Sequence, residues 1–274
     1  RGRYCCCVWT ITCPRASRRN KVGGLVVNFT VESDVGLRRT VNEDRVAFIE
    51  RPDQFKLAIL ADGMGGHNAG DVASEMAIEQ MQTLFLQATV EHFSSYESRK
   101  EWLRDAVSHI NYEIYQYSLS HEGCQGMGTT LIAVLIDNMS CLISHVGDSR
   151  VYHFTDETVT LITRDHSYVN VLVESGEISE EEARNHPQKN FILKALGTES
   201  SIQPDFYDVL LAEDSYLLIC SDGLSNKVST DEMVALITLT MPLEKKGKKL
   251  VQLANDCGGE DNISLVLMTM KEEV

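Results

Sequence analysis

Spacing alone divides the chain into apolar runs of strand length, two long helical stretches and polar connections. Val27-Asn-Phe29-Thr-Val31 alternates with period two and predicts a half-buried strand. Arg45–Ile49 and Phe55–Ala61 predict two more strands, joined by a turn at Pro52-Asp53. Helical spacing then takes over. Ala73, Met76, Ala77, Met81, Leu84 and Phe85 share one face, and a second helix is predicted over about 98–120. Strand-like runs return at Thr130–Ile136, Cys141–Val146, Val151–Phe154 and Val159–Ile162. The polar stretch Asp165–Gln188 contains Ser179-Glu-Glu-Glu182, a capping box that starts a short helix. Strands Val209–Ala212 and Tyr216–Cys220 follow, and Ser229-Thr-Asp-Glu232 caps another helix. A last helix is predicted near Lys248–Asn255, and Ile263–Met268 closes the pattern as a strand.

The order is strands, helices, strands, helices, strand. Such segregation predicts an α+β fold rather than the βαβ alternation of a parallel sheet. Many strands with short connections point to two stacked antiparallel sheets with helices outside. From Leu25 onward there is no Gly-, Pro- or Ser-rich linker and no repeat, so residues 25–274 are expected to form one domain.

Composition changes this picture at one end. The 274 residues carry 25 basic and 40 acidic side chains, a net charge of −15. That balance argues against nucleic acid or an anionic membrane as partner. No apolar run approaches the ~20 residues of a bilayer span, so membrane insertion is not expected. Residues 1–24, however, hold six basic side chains, no acidic one and four cysteines, Cys5, Cys6, Cys7 and Cys13. They lack the cleavage site of a signal peptide and the ligand spacing of a zinc site, and are expected to be an appended leader. Cys13 to Arg19 matches the C-x5-R of cysteine-dependent phosphatases, but without the glycines or the strand and helix flanks that such a loop needs. Cys124, Cys141, Cys220 and Cys257 are expected to be reduced core thiols of a cytoplasmic protein.

Candidate chemistry lies in carboxylates where strands meet turns. Asp62 stands in Leu60-Ala-Asp-Gly-Met-Gly-Gly66, Asp148 in Val146-Gly-Asp-Ser149, Asp222 in Cys220-Ser-Asp-Gly-Leu224 and Asp261 in Gly259-Glu-Asp-Asn-Ile263; Glu43-Asp44 precedes a strand. Any one Asp-Gly is an ordinary turn. As a set, hard oxygen donors without clustered thiols or imidazoles favour Mg²⁺ or Mn²⁺ over zinc or copper. The glycines around Met64 do not make a phosphate-binding P-loop, because no Lys follows them.

Read together, these segments resemble the metal-dependent serine/threonine protein phosphatases of the protein phosphatase 2C family, in their bacterial form. The resemblance runs from about Phe29 to Met270. It rests on Ser33–Asp44, Ala61–His67 with Ala69–Ser74, Gly126-Met-Gly-Thr-Thr130, Val146–Arg150, Ser221–Leu224 and Gly259–Asn262, in the family's order. It implies a four-layer αββα sandwich, two antiparallel sheets flanked by helices, with two Mn²⁺ or Mg²⁺ ions and a third, weaker one. Carried over position by position, Asp44, Asp62, the Gly63 carbonyl, Asp222 and Asp261 would hold the two ions, and Glu43 would act through water. Asp148 matches the ligand of the third ion, although Asn226 stands where animal members carry Asp. Arg39 matches the phosphate-binding arginine, with Arg38 as its neighbour in register, and His67 matches the general acid. Residues 165–188 correspond to the flap beside the cleft. The implied substrates are phosphoproteins and the implied partner is a bacterial Ser/Thr kinase. Two rivals are a two-metal hydrolase of phosphodiesters or small phosphates, and a non-catalytic module on the same fold. The complete acidic set weighs against the second.

Overall fold

The computed structural model describes residues 9–11, 27–65, 69–156, 158–213 and 215–270. In chain order the strands are β1 (Trp9–Ile11), β2 (Asn28–Asp34), β3 (Asp44–Glu50), β4 (Lys56–Met64), β5 (Gly128–Thr129), β6 (Leu131–Asp137), β7 (Ser140–Val146), β8 (Arg150–Phe154), β9 (Val159–Leu161), β10 (Asp205–Leu210), β11 (Tyr216–Cys220) and β12 (Ile263–Thr269). The helices are α1 (Gly70–Gln87), α2 (Tyr96–Ser120), α3 (Tyr168–Glu174), α4 (Glu180–Arg184), α5 (Asp222–Ser225), α6 (Thr230–Ile237) and α7 (Leu243–Asp256), with a 3₁₀ turn at Val90–Phe93.

One sheet runs β1-β3-β4-β6-β7-β10, with β5 against the end of β4; the other runs β2-β12-β11-β8-β9. Alternating side chains divide the burial. Val46, Phe48, Ala58 and Leu60 meet Val151, Leu217, Ile219 and Val266 between the sheets. Their neighbours Ala47, Ile49, Leu57 and Ile59 pack on Ala73, Ala77, Met81, Leu103 and Ile110 of α1 and α2. On the far side, Leu218, Leu265 and Leu267 pack on Met233, Ile237, Leu250 and Ala254 of α6 and α7. Strands covered on both faces read as continuous apolar runs, which is why β4, β6 and β12 lack polar alternation. The fold is the αββα sandwich.

Several boundaries differ from the sequence pattern. The strand expected at Val209–Ala212 begins at Asp205, because six residues of β10 pair with β7 from Asp205↔His145 to Leu210↔Ser140. The helix expected near Lys248 starts at Leu243, and Gly247 there lets α7 lie close on β2: a Cβ would sit 2.8 Å from Thr30 Cγ2. Trp9–Ile11, in the expected leader, pairs in parallel with Ala47–Ile49, the one parallel pair among the described strands. Cys13 and Arg19 lie outside the described residues. Cys141 and Cys220 are buried free thiols as expected, but Cys124 is half-buried and Cys257 exposed, because Cys257 stands beyond the last turn of α7. Among the described residues no helix is long and apolar enough to cross a membrane.

Candidate metal centre and active site

Antiparallel pairing brings the candidate carboxylates to one end of both sheets. Asp44 opens β3 and Asp62 lies near the end of β4, and the two are direct cross-strand partners. Asp148 follows β7, Asp222 follows β11 and Asp261 precedes β12. Residues far apart in sequence therefore meet where five strand ends coincide.

The backbone here is held tightly. Asp62 N–H donates to Thr130 Oγ1 (3.0 Å), and Asp62 O accepts from Thr130 N–H (2.8 Å) and Thr129 Oγ1 (2.9 Å). That is the structural use of the Gly-Thr-Thr segment, to which sequence reasoning assigned no role. Gly63 passes so near the start of α1 that a Cβ would lie 2.1 Å from Gly70 O and 2.7 Å from Glu43 O. Only glycine fits at that crossing. Asn262 is a latch: its Oδ1 accepts from Glu43 N–H (2.8 Å), and its Nδ2 donates to Val35 O (2.9 Å) and Val41 O (3.0 Å). It ties the 35–43 loop to the start of β12. Its place in the Gly259–Asn262 segment gives no local sign of this task.

Ser221 Oγ donates to Asp44 Oδ2 (2.8 Å) and accepts from Ser264 N–H (3.0 Å). Asp222 Oδ2 accepts from Asn226 Nδ2 (3.1 Å). Arg39 Nη2 donates to Asp261 Oδ2 (2.8 Å), and its Nη1 lies 3.8 Å from Glu43 Oε2, so Arg39 and not Arg38 turns toward the carboxylates. The Asp148 turn is held from the flap side. Gly147 N–H donates to His166 Nδ1 (3.0 Å), His166 N–H donates to Gly147 O (2.8 Å), and His145 stacks on His166 at 4.9 Å. Arg150 forms a two-pronged pair with Asp165, Nε to Oδ1 at 3.0 Å and Nη2 to Oδ2 at 2.7 Å. Residues 66–68, His67 among them, lie outside the described residues.

Burial, then mutual repulsion, disfavours ionisation of this set. Burial and the charges of Asp222 and Asp261 push Asp44 up to about 7, against opposing bonds from Ser221 and Ser264. Asp222 is pushed to about 6 by burial and Asp261. Asp62 stands well above the ordinary carboxylate value through burial and four neighbouring Asp charges, and Asp148 through burial, Asp222 and Asp165. Asp44 Oδ1 and Asp148 Oδ1 are buried with no hydrogen-bond partner. Orphaned anionic oxygens facing like charges are costly unless a cation joins them. Hard oxygens of this kind fit Mg²⁺ or Mn²⁺. In the arrangement described, protein partners occupy several of these oxygens, and no three of the described His, Cys, Asp or Glu side chains form a finished ligand cluster.

A family profile described as Protein phosphatase 2C matches residues 38–267, most of the chain and all of these carboxylates. The chain belongs to the protein phosphatase 2C family. Relatives of this protein phosphatase include the serine/threonine phosphatase stp of Listeria monocytogenes, 40% identical over 236 residues, which span 86% of this chain and 93% of the relative. The crystal structure of Stp1 from Staphylococcus aureus superposes with a TM-score of 0.85 at 35% identity, covering 90% of this chain and 96% of that one. The catalytic domain of the phosphatase PstP, solved in complex with two manganese ions, has a TM-score of 0.75 at 32% identity, over 89% and 97%.

Proposed function

We propose that this protein phosphatase hydrolyses phosphoserine and phosphothreonine in proteins with the help of divalent metal. What supports this reading is the gathering of Asp44, Asp62, Asp222 and Asp261 at one end of both sheets in a chain of this family. Asp44, Asp62, Asp222, Asp261 and the Gly63 carbonyl would hold two Mn²⁺ or Mg²⁺ ions, with Glu43 acting through water and Asp148 serving a third, weaker ion. Ions bound there lower the pKa of a water and supply hydroxide near neutral pH.

The remaining work falls to the chain's own groups. Arg39 would grip two phosphate oxygens with its planar fork, which Lys cannot copy. Its present bond to Asp261 holds it at the site's edge. His67 would donate a proton to the departing serine or threonine oxygen, a poor leaving group without one. Thr129, Thr130 and Asn262 fix the backbone of Asp62 and Glu43, which holds the strand ends that carry the carboxylates in place. The enzyme would act in the bacterial cytoplasm on phosphoproteins made by a membrane-anchored Ser/Thr kinase, with that kinase as partner.

The test is hydrolysis of a phosphothreonine peptide with Mn²⁺, abolished by EDTA. Asp222→Asn is expected to lower the rate at least ~100-fold. Full activity of that variant at saturating Mn²⁺ would refute the metal assignment, and preferential cleavage of phosphodiesters would favour the rival hydrolase.

A further inference from the structure

Beside the carboxylates the surface changes sign. Beyond residue 24 the chain holds 19 basic against 40 acidic side chains, so a cluster of cations at one edge is unusual in it. Gly258 and Gly259, at φ +124° and +51°, turn the loop before β12 back on itself. The Gly259 carbonyl then accepts from Leu37 N–H (2.7 Å) and Arg38 N–H (3.1 Å). This stitches the turn carrying Arg38 and Arg39 onto the loop carrying Glu260 and Asp261. Lys227, just past α5, pairs with Glu260. Lys189, just after the flap, has its N–H held by His186 O (3.1 Å), and after Lys227 its charge and that of Arg38 add to the pull that lowers the Glu260 pKa. Arg38 and Lys189 are exposed and Lys227 half-buried. Arg39 already engages Asp261 and Glu43, which leaves three outward cations around the single carboxylate of Glu260.

We propose that Arg38, Lys189 and Lys227 form a specificity rim that favours phosphopeptides with acidic residues beside the phosphorylated one. This rests on the phosphatase reading of the adjoining site. Glu260 is 65% exposed in its side chain, so its pairing with Lys227 is cheap to exchange for a carboxylate on the substrate. The loop before β3, the turn after α5 and the stretch just after the flap each supply one cation, and a peptide lying across them places its phosphorylated residue toward Arg39. Rim charges act through encounter and weak, salt-screened contacts, so the preference belongs in KM and not in kcat.

The test compares phosphothreonine peptides of equal length whose flanks are Glu, Ser or Lys, with p-nitrophenyl phosphate as a substrate too small to reach the rim. The Glu-flanked peptide is expected to show a KM about 3–10-fold below the Ser-flanked one, an advantage erased by high salt. In the full chain carrying Lys189→Ala and Lys227→Ala, the three KM values should converge while kcat and p-nitrophenyl phosphate turnover hold; that turnover also reports a folded site. KM values blind to the flanks, or lowest for Lys flanks, overturn the proposal. So does flank-blind KM with binding to phosphatidylserine vesicles that the double variant loses, which would assign the rim to a membrane. No turnover of any phosphomonoester takes down the phosphatase reading itself, and the rim with it.

Discussion

Asp44 and Asp62 face each other across two strands, and either would be a liability there without a charge to meet it. Ser221 acts on this balance directly, since its hydroxyl lowers the pKa of Asp44 against burial. Ser221→Ala should therefore leave Asp44 harder to ionise and let protons compete better with Mn²⁺. The expected outcome is a roughly 10-fold rise in the Mn²⁺ concentration giving half-maximal activity, with near-normal kcat at saturation. An unchanged Mn²⁺ titration would argue that Asp44 is not a ligand. His67 is tested by its leaving group. His67→Ala should slow a phosphothreonine peptide on the order of 100-fold but barely affect p-nitrophenyl phosphate, whose phenolate departs unaided. Equal losses on both would remove the acid role. At this scale the carboxylates were legible, because an Asp ending an apolar run is a local signal. Thr129, Thr130, Ser221 and Asn262 were not, since their roles are bonds to residues up to 227 positions away.

Elements carry the flap. Sequence pattern finds α4 through its capping box, and Ser179 indeed receives Glu182 N–H while Glu182 returns to Ser179 N–H (2.8 Å). It misses α3, whose seven residues bury no side chain and so leave no apolar stripe to read. It also misses α5, a single turn after β11. What fastens the flap is the Arg150–Asp165 pair together with His166 on the Asp148 turn. Asp165→Asn leaves the largely buried Arg150 guanidinium without its carboxylate, and the expected cost is about 3 kcal/mol in urea unfolding. Proteolysis within 165–193 should quicken in that variant. Stability within ~0.5 kcal/mol of the parent would show the pair to be ornamental.

At the scale of the whole molecule, the buried carboxylates set the pH response. Asp44 and Asp222, raised to about 7 and 6, and Asp62 and Asp148, also raised well above the ordinary carboxylate value, bind protons more tightly folded than unfolded. Their contribution is full below the ordinary carboxylate pKa and fades as pH rises through the folded values. His145, pushed down to about 3 by burial and His166, works the other way: its contribution is lost as pH falls from about 6.5. Four acids outweigh it, so protein in EDTA should melt on the order of 5 °C higher at pH 5.5 than at pH 8. With saturating Mn²⁺ the trend should reverse, because protons then displace bound metal. Parallel melting curves with and without Mn²⁺ would sink this account. The sequence by itself determined the layers, since periods of two and 3.6 are local and doubly buried strands announce themselves as apolar runs. It also marked the carboxylates, since turns are local too. Which strands pair, the Asp44↔Asp62 register, the closeness that only Gly63 permits and the cationic rim were decided by tertiary structure alone. Each is a contact between distant parts of the chain, and its energy exists only once both sheets have formed.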